Sequence, residues 1–238
     1  LLCLVWLGSS SAVFATEGSF AEHKKVSSDF LSMPHNVTVY LPPGYNDDAN
    51  TNKRYPVLYA HDGQNLFHKK AAFGGNEWRL DENAEALMAE GLLPPIIIVG
   101  IHNNAKRIDE YTPTHIKAGQ NKYLKNGGGG ELRQYARFIV EELKPFIDRT
   151  YRSKRGRANT GVMGSSLGGI ASLYILGWHP ETFSRAACIS PSFWWDSQTV
   201  FRDLDKLQFP PDVRIYLDGG WKEGADESSM ITYMRTVY

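Results

Sequence analysis

Short apolar runs alternate with longer amphipathic ones along most of the chain. Residues 37–41, 55–60, 96–101, 158–163, 186–189 and 213–217 are brief, nearly continuous apolar runs, mostly rich in β-branched side chains, and predict strands. The intervening patterns predict helices at 77–90, 131–150, 167–178, 196–207 and from 227 to the end. In the second of these, Leu132, Tyr135, Phe138, Ile139, Leu143, Phe146 and Ile147 recur at spacings of three and four, which makes one apolar stripe. Strands apolar on both faces, alternating with such helices, imply an α/β fold whose mainly parallel sheet is covered on both sides.

Sites in sheets of this kind lie outside the carboxyl ends of the strands. That rule gathers four segments at one edge: His61-Asp62-Gly63-Gln64-Asn65, His102-Asn103-Asn104, the turn after Met163, and Asp218-Gly219-Gly220-Trp221-Lys222-Glu223. The four glycines at 127–130 interrupt the pattern before the long helix and read as a flexible connector. A repeat or an inter-domain linker is not evident, and 238 residues suit one domain of ordinary size.

The chain opens on Leu1 rather than Met. An uncharged apolar run over residues 1–7 is followed by Gly8, Ser9, Ser10 and Ser11 and then Val13-Phe14-Ala15. This reads as the later part of a secretory signal, with Ala15 the last residue removed, an incomplete start, and export to the periplasm or the medium. The run is shorter than the roughly 20 residues of a spanning helix, so stable membrane insertion after cleavage is not expected. Residues 16–238 then form the mature domain. Cys3 falls in the signal and leaves Cys188 alone in an apolar run, so no disulfide framework or metal site is implied. Lysines and arginines number 26, as do aspartates and glutamates, and no basic cluster is interleaved with aromatics. Nothing here argues for a nucleic-acid or anionic-membrane partner.

Ser166 stands in Gly164-Ser165-Ser166-Leu167-Gly168, a G-x-S-x-G between a predicted strand and a predicted helix, as a nucleophile elbow requires. The turn brings backbones close together, and Gly164, Gly168 and Gly169 supply the small residues it needs. The N–H of Leu167 would face a developing oxyanion at the helix start. A second donor comes from the loop after the third strand in such sites, where Gly63 lets the chain turn and the N–H of Gln64 is the candidate. His61 precedes the serine at a strand end, which is out of order for the base of such a triad. Ser165 reads as a packing residue.

Tyr55-Pro56-Val57-Leu58-Tyr59, Asp62-Gly63-Gln64-Asn65-Leu66-Phe67, Glu110-Tyr111-Thr112-Pro113, the Ser166 elbow and Ser190-Pro191-Ser192-Phe193-Trp194-Trp195-Asp196 together resemble the putative-esterase family of α/β hydrolases. That family includes siderophore esterases, feruloyl and acetyl-xylan esterases, S-formylglutathione hydrolase and mycolyl transferases. The segment at 62–67 is most similar to its enterochelin-esterase-like branch. The resemblance implies an acid after the run 213–217. Its pattern of Gly, two residues and an acid fits Gly220 and Glu223 best, with Asp226 second and Asp218 a strand-end turn residue.

The resemblance and the fold's order of Ser, acid, His also imply a later histidine. His179 is the sole histidine after Ser166, at the far end of a helix about 18 Å long, where it reads as a C-terminal residue stabilised by the helix dipole. The expectation is therefore an elbow, an oxyanion loop and an acid, with the triad histidine not in this chain and the sequence stopping before a last strand. Phe193, Trp194 and Trp195 could line an acyl pocket or pack in the core. Asp196 reads as a helix N-cap, and Arg107, Asp109 and Glu110 as local ion pairs. No metal-ligand spacing or phosphate-cradling motif occurs, and no cofactor is expected.

The leading expectation is an exported serine esterase that cleaves a small-molecule or glycan-linked carboxylic ester through an acyl-enzyme on Ser166. One alternative is an acyltransferase on the same residues. The other is a non-catalytic binding module that kept the α/β-hydrolase fold.

Overall fold

A computed structural model describes residues 17–120 and 124–220. Among them a seven-stranded sheet runs in the order β1-β2-β4-β3-β7-β8-β9. Its members are β1 (Ser19–Val26), β2 (His35–Leu41), β3 (Val57–His61), β4 (Ile97–Ile101), β7 (Thr160–Ser165), β8 (Arg185–Ile189) and β9 (Arg214–Asp218), while β5 (His115–Ile116) and β6 (Gly128–Gly129) form a separate ribbon. Strands β4, β3, β7, β8 and β9 are mutually parallel, and β1 and β2 add an antiparallel edge. The six runs predicted as strands are all strands, and the mainly parallel α/β sheet is present.

Alternation of side chains through the pleat divides the core between the two faces. Ile97, Val99 and Ile101 of β4 join Val37, Val39, Tyr59 and Val162 in the larger cluster, which is covered by the long helical segment from Leu132 to Thr150 and by α5 (Leu167–Trp178). Ile98, Ala60 and Met163 face the other way, toward α1 (Leu80–Ala89). The long segment holds two α-helices, α3 (Leu132–Arg137) and α4 (Lys144–Thr150), joined by a π-helical stretch at Phe138–Leu143. Its predicted stripe is buried at Leu132, Tyr135, Phe138, Ile139, Leu143 and Ile147.

Two expectations need correction, and one strand lies outside the hydrophobic pattern. Strand β1 was not foreseen because its sequence is polar: it sits at an edge and buries only alternate positions in part. The glycines at 127–130 are no slack connector, since Gly128–Gly129 pairs with His115–Ile116 and all four have positive φ. Asp196 is not an N-cap. Helix α6 (Trp195–Asp203) starts one residue earlier, and Asp196, Ser197 and Gln198 lie inside it with φ of 43°, 51° and 64°. The predicted helix from 227, the signal at 1–15, and both Glu223 and Asp226 lie outside the described residues.

Candidate active site

The turn between β7 and α5 places Ser166 at φ 55° and ψ −119°, a conformation that L-residues avoid. The surroundings enforce it. The Ser166 carbonyl accepts from the N–H groups of Gly169, Ile170 and Ser192 at 3.1, 3.3 and 2.9 Å, and its own N–H donates to the Ile189 carbonyl at 3.0 Å. A methyl group on Gly164 would stand 2.7 Å from the Gly168 carbonyl and 2.8 Å from His61 Cδ2, and one on Gly169 would stand 3.0 Å from Pro191. These contacts are the close backbone approach for which the sequence keeps glycine. Ser166 itself is exposed while Leu167, Gly168 and Gly169 behind it are buried. A side chain presented this way stands clear of the sheet, where a substrate can reach it.

The first N–H groups of a helix have no partner inside it, and Leu167 is the first residue of α5. Its amide therefore opens beside Ser166, at the positive end of the helix dipole. The β3 loop lies against the same turn, because a methyl on Gly168 would meet His61 Cβ at 3.2 Å and Asp62 Oδ2 at 3.7 Å. Gln64 belongs to a single 3₁₀ turn, Gly63–Asn65, that follows Asp62 at φ 55°, ψ 44°. The positive φ is thus carried by Asp62 and not by Gly63. Glycine is needed at 63 for a different reason: a Cβ there would be driven into the backbone of Gly100 in β4.

Register across the parallel strands puts Ser165, Ile189 and Asp218 side by side at the carboxyl edge. Asp218 is the last residue of β9, with Oδ1 accepting the Ser190 N–H at 2.9 Å and Oδ2 accepting the Tyr216 hydroxyl at 3.1 Å. Among the described residues, the side-chain hydrogen-bond partner of Ser166 is one that the sequence pattern does not mark. Ser192, 2% exposed, places its Oγ 3.1 Å from Ser166 Oγ. The neighbouring aromatics split. Trp195 is 1% exposed, with Nε1 donating to the Thr114 carbonyl and hydroxyl at 3.2 Å, so it packs the core and offers no face to a substrate. Trp194 is 39% exposed and keeps that possibility.

All seven histidines of the sequence are among the described residues, and none hydrogen-bonds Ser166. His23 pairs with the Tyr151 hydroxyl, His35 with Glu110, His102 with Thr38, His115 with the Gly129 carbonyl and His179 with Glu181, while His68 rests against Phe20. His61 is closest in the chain to the site, yet it is a core residue. Its Nδ1 meets the Tyr135 hydroxyl at 3.0 Å, its ring is 2% exposed, and burial, reinforced by the charge of Arg107 and partly opposed by that of Asp62, lowers its pKa to about 4.

The polar residues beside the edge are paired internally. Arg107 grips Asp62 through Nε and Nη2 at 2.7 Å each, Lys106 bonds Asp109 at 3.0 Å, and buried Glu110 meets His35 at 3.1 Å. Burial works against the Arg107 charge, but the bond and charge of Asp62 outweigh it and hold the guanidinium above its ordinary pKa. Among the described residues no group of three or more His, Cys, Asp and Glu is placed to hold a metal. None of the described helices is long and apolar enough to cross a membrane.

Known proteins resemble this chain over most of its length. The Bacillus subtilis protein YbbA is 28% identical over 218 residues, covering 92% of this chain and 78% of its own length. The ferri-bacillibactin esterase BesA of the same organism is 28% identical over 203 residues, 77% of this chain and 65% of the relative. An IroE-like serine hydrolase from Shewanella oneidensis superposes with a TM-score of 0.62 at 26% identity, over 80% of this chain and 55% of the neighbour. This chain thus spans little more than half to about three-quarters of the proteins it resembles. Residues 28–233, from before β2 past the end of β9, match the family described as Putative esterase, and the chain, with its mainly parallel α/β sheet, belongs to that family.

Proposed function

We propose that this protein is a serine carboxylic-ester hydrolase that works through an acyl-enzyme on Ser166. The observation that carries the reading is the strained, exposed Ser166 at φ 55°, ψ −119° on a strand-to-helix turn. In the proposed reaction Ser166 Oγ attacks the ester carbonyl carbon and the negative charge moves to the carbonyl oxygen. The N–H groups of Leu167 and Gln64 receive that charge, a term worth about 10²–10³ in rate per donor in acyl-transfer enzymes. Collapse expels the alcohol and leaves Ser166 acylated, and water then releases the acid.

A proton acceptor for the serine is required, because a hydroxyl is a weak nucleophile near neutral pH. None of the seven histidines hydrogen-bonds Ser166, and Glu223 is the proposed orienting acid of the base, with Asp226 as the second choice. Family membership and the esterase BesA support ester hydrolysis. The relative's name also makes a siderophore ester the first natural substrate to try, with the exposed Trp194 as a candidate contact.

The full-length protein should release p-nitrophenol from a p-nitrophenyl ester with an initial burst. Ser166→Ala should abolish the burst and lower kcat/KM at least about 10³-fold. Undiminished turnover in that variant removes Ser166 from the mechanism. A folded protein that shows neither turnover nor labelling by a fluorophosphonate favours a binding module.

A further inference from the structure

The loops after β3 and β4 are tied together by a buried network that the proposed chemistry does not use. These strands are parallel neighbours, with His61 opposite Ile101, so the two loops leave the sheet side by side. From the second loop, Arg107 sends Nε and Nη2 to the two oxygens of Asp62 at 2.7 Å each, and Asn103 Nδ2 donates to Asp62 Oδ1 at 2.6 Å. The backbone N–H of Asn103 donates to Gln64 Oε1 at 3.1 Å. A third tie comes from Tyr111, whose hydroxyl accepts the Asp62 N–H at 3.1 Å. The Asp62 side chain is only 7% exposed, and Arg107 also lies over the Tyr111 ring, 5.2 Å from its centroid.

These ties converge on a turn with little reason to hold its shape unaided. Asp62 has left-handed φ and ψ, a conformation strained for a non-glycine residue. The single 3₁₀ turn after it is too short to be stable alone. A planar guanidinium forked onto a carboxylate fixes both distance and orientation, as a lysine would not. The carboxylate so fixed is one residue before Gly63 and two before the Gln64 amide.

We propose that Arg107 and Asn103 are positioning residues, which act through the Asp62 carboxylate and the Gln64 side chain to aim the Gln64 N–H at the oxyanion. The inference rests on Gln64 being an oxyanion donor in an esterase centred on Ser166. It assigns part of the reaction's geometry to the loop after β4, which touches no reacting atom.

Two measurements on the full-length protein test it, amide hydrogen exchange of segment 61–66 and steady-state hydrolysis of a p-nitrophenyl ester. In Arg107→Ala and Asn103→Ala, exchange in the segment should quicken and kcat should fall roughly 10- to 100-fold with KM within about threefold, as expected when an oxyanion donor is misplaced but binding is not. Arg107→Lys, which keeps the charge without the fork, should recover part of the loss and carries the same readouts if Arg107→Ala fails to fold. Exchange unchanged from the parent in these variants overturns the proposal, and so does a loosened turn with full kcat. Parental turnover in Ser166→Ala overturns the Ser166 mechanism instead, and the exchange data still decide whether the network holds the turn.

Discussion

His61 is uncharged in the folded protein near neutral pH, because burial depresses its pKa to about 4. In the unfolded chain the same ring titrates near its ordinary value of about 6.5. Between roughly pH 6.5 and 4 the unfolded state therefore binds more protons, and stability falls as pH falls through that window, by on the order of 3 kcal/mol at its floor. Above it, this residue adds no pH dependence. Urea unfolding near pH 7 and near pH 4.5 should show a loss in the parent that shrinks by about 2–3 kcal/mol in His61→Gln. Equal losses in the two proteins would place the acid sensitivity elsewhere. The same residue marks what can be read from sequence at this scale. Ser166 is legible because its strain needs glycines at fixed offsets. Ser192 is not, because its proximity to Ser166 depends on a left-handed Ser190 and the packing of Pro191 on Gly169, neither of which leaves a periodic trace.

At the scale of elements, hydrophobic period found the buried strands and failed on those that bury little. Strand β1 is held by pairing with β2, and its exposed face is written in Glu22, Lys24 and Lys25. The β5–β6 ribbon is two residues on each side and consists of glycine on one, so pattern has nothing to register. Composition alone suggested slack there, whereas packing explains the glycines. At Gly129, φ is 95° and a methyl group would stand 2.5 Å from Trp195 Cζ2 and 2.6 Å from the Thr112 hydroxyl. Alanine at this position meets both a forbidden backbone region and an overfilled contact, which together cost about 2–4 kcal/mol. Gly129→Ala should lower the urea midpoint accordingly without changing the slope, and should shift the emission of Trp195 as its indole is displaced. A midpoint within error of the parent would mean that the ribbon moves aside freely.

For the whole molecule, topology did what no single residue could. The rule that sites gather at the carboxyl edge of a parallel sheet assembled the loops after β3, β4, β7 and β9 from the order of patterns alone. It could not say which side chains meet across those loops, so Arg107 read as a local ion pair when its partner is 45 residues away. The integrity of that edge depends on the sheet beneath it, and Cys188 reports on the sheet directly. It lies in β8 beneath the larger core cluster, fully buried, with burial pushing its thiol up to about 12. Its outer neighbour β9 is weakly covered, with Tyr216 60% exposed and Ile215 and Leu217 only half-buried. Detachment of β9 alone leaves Cys188 under α5, whereas loss of the core exposes it together with everything else. In a Cys3→Ser chain, modification of Cys188 by a thiol reagent should therefore run at least about 10³-fold slower than in denatured protein, and its dependence on urea should carry the full slope of global unfolding. A shallower slope would show that β8 and β9 open as a separate unit, and would make that half of the carboxyl edge the first part of the molecule to fail.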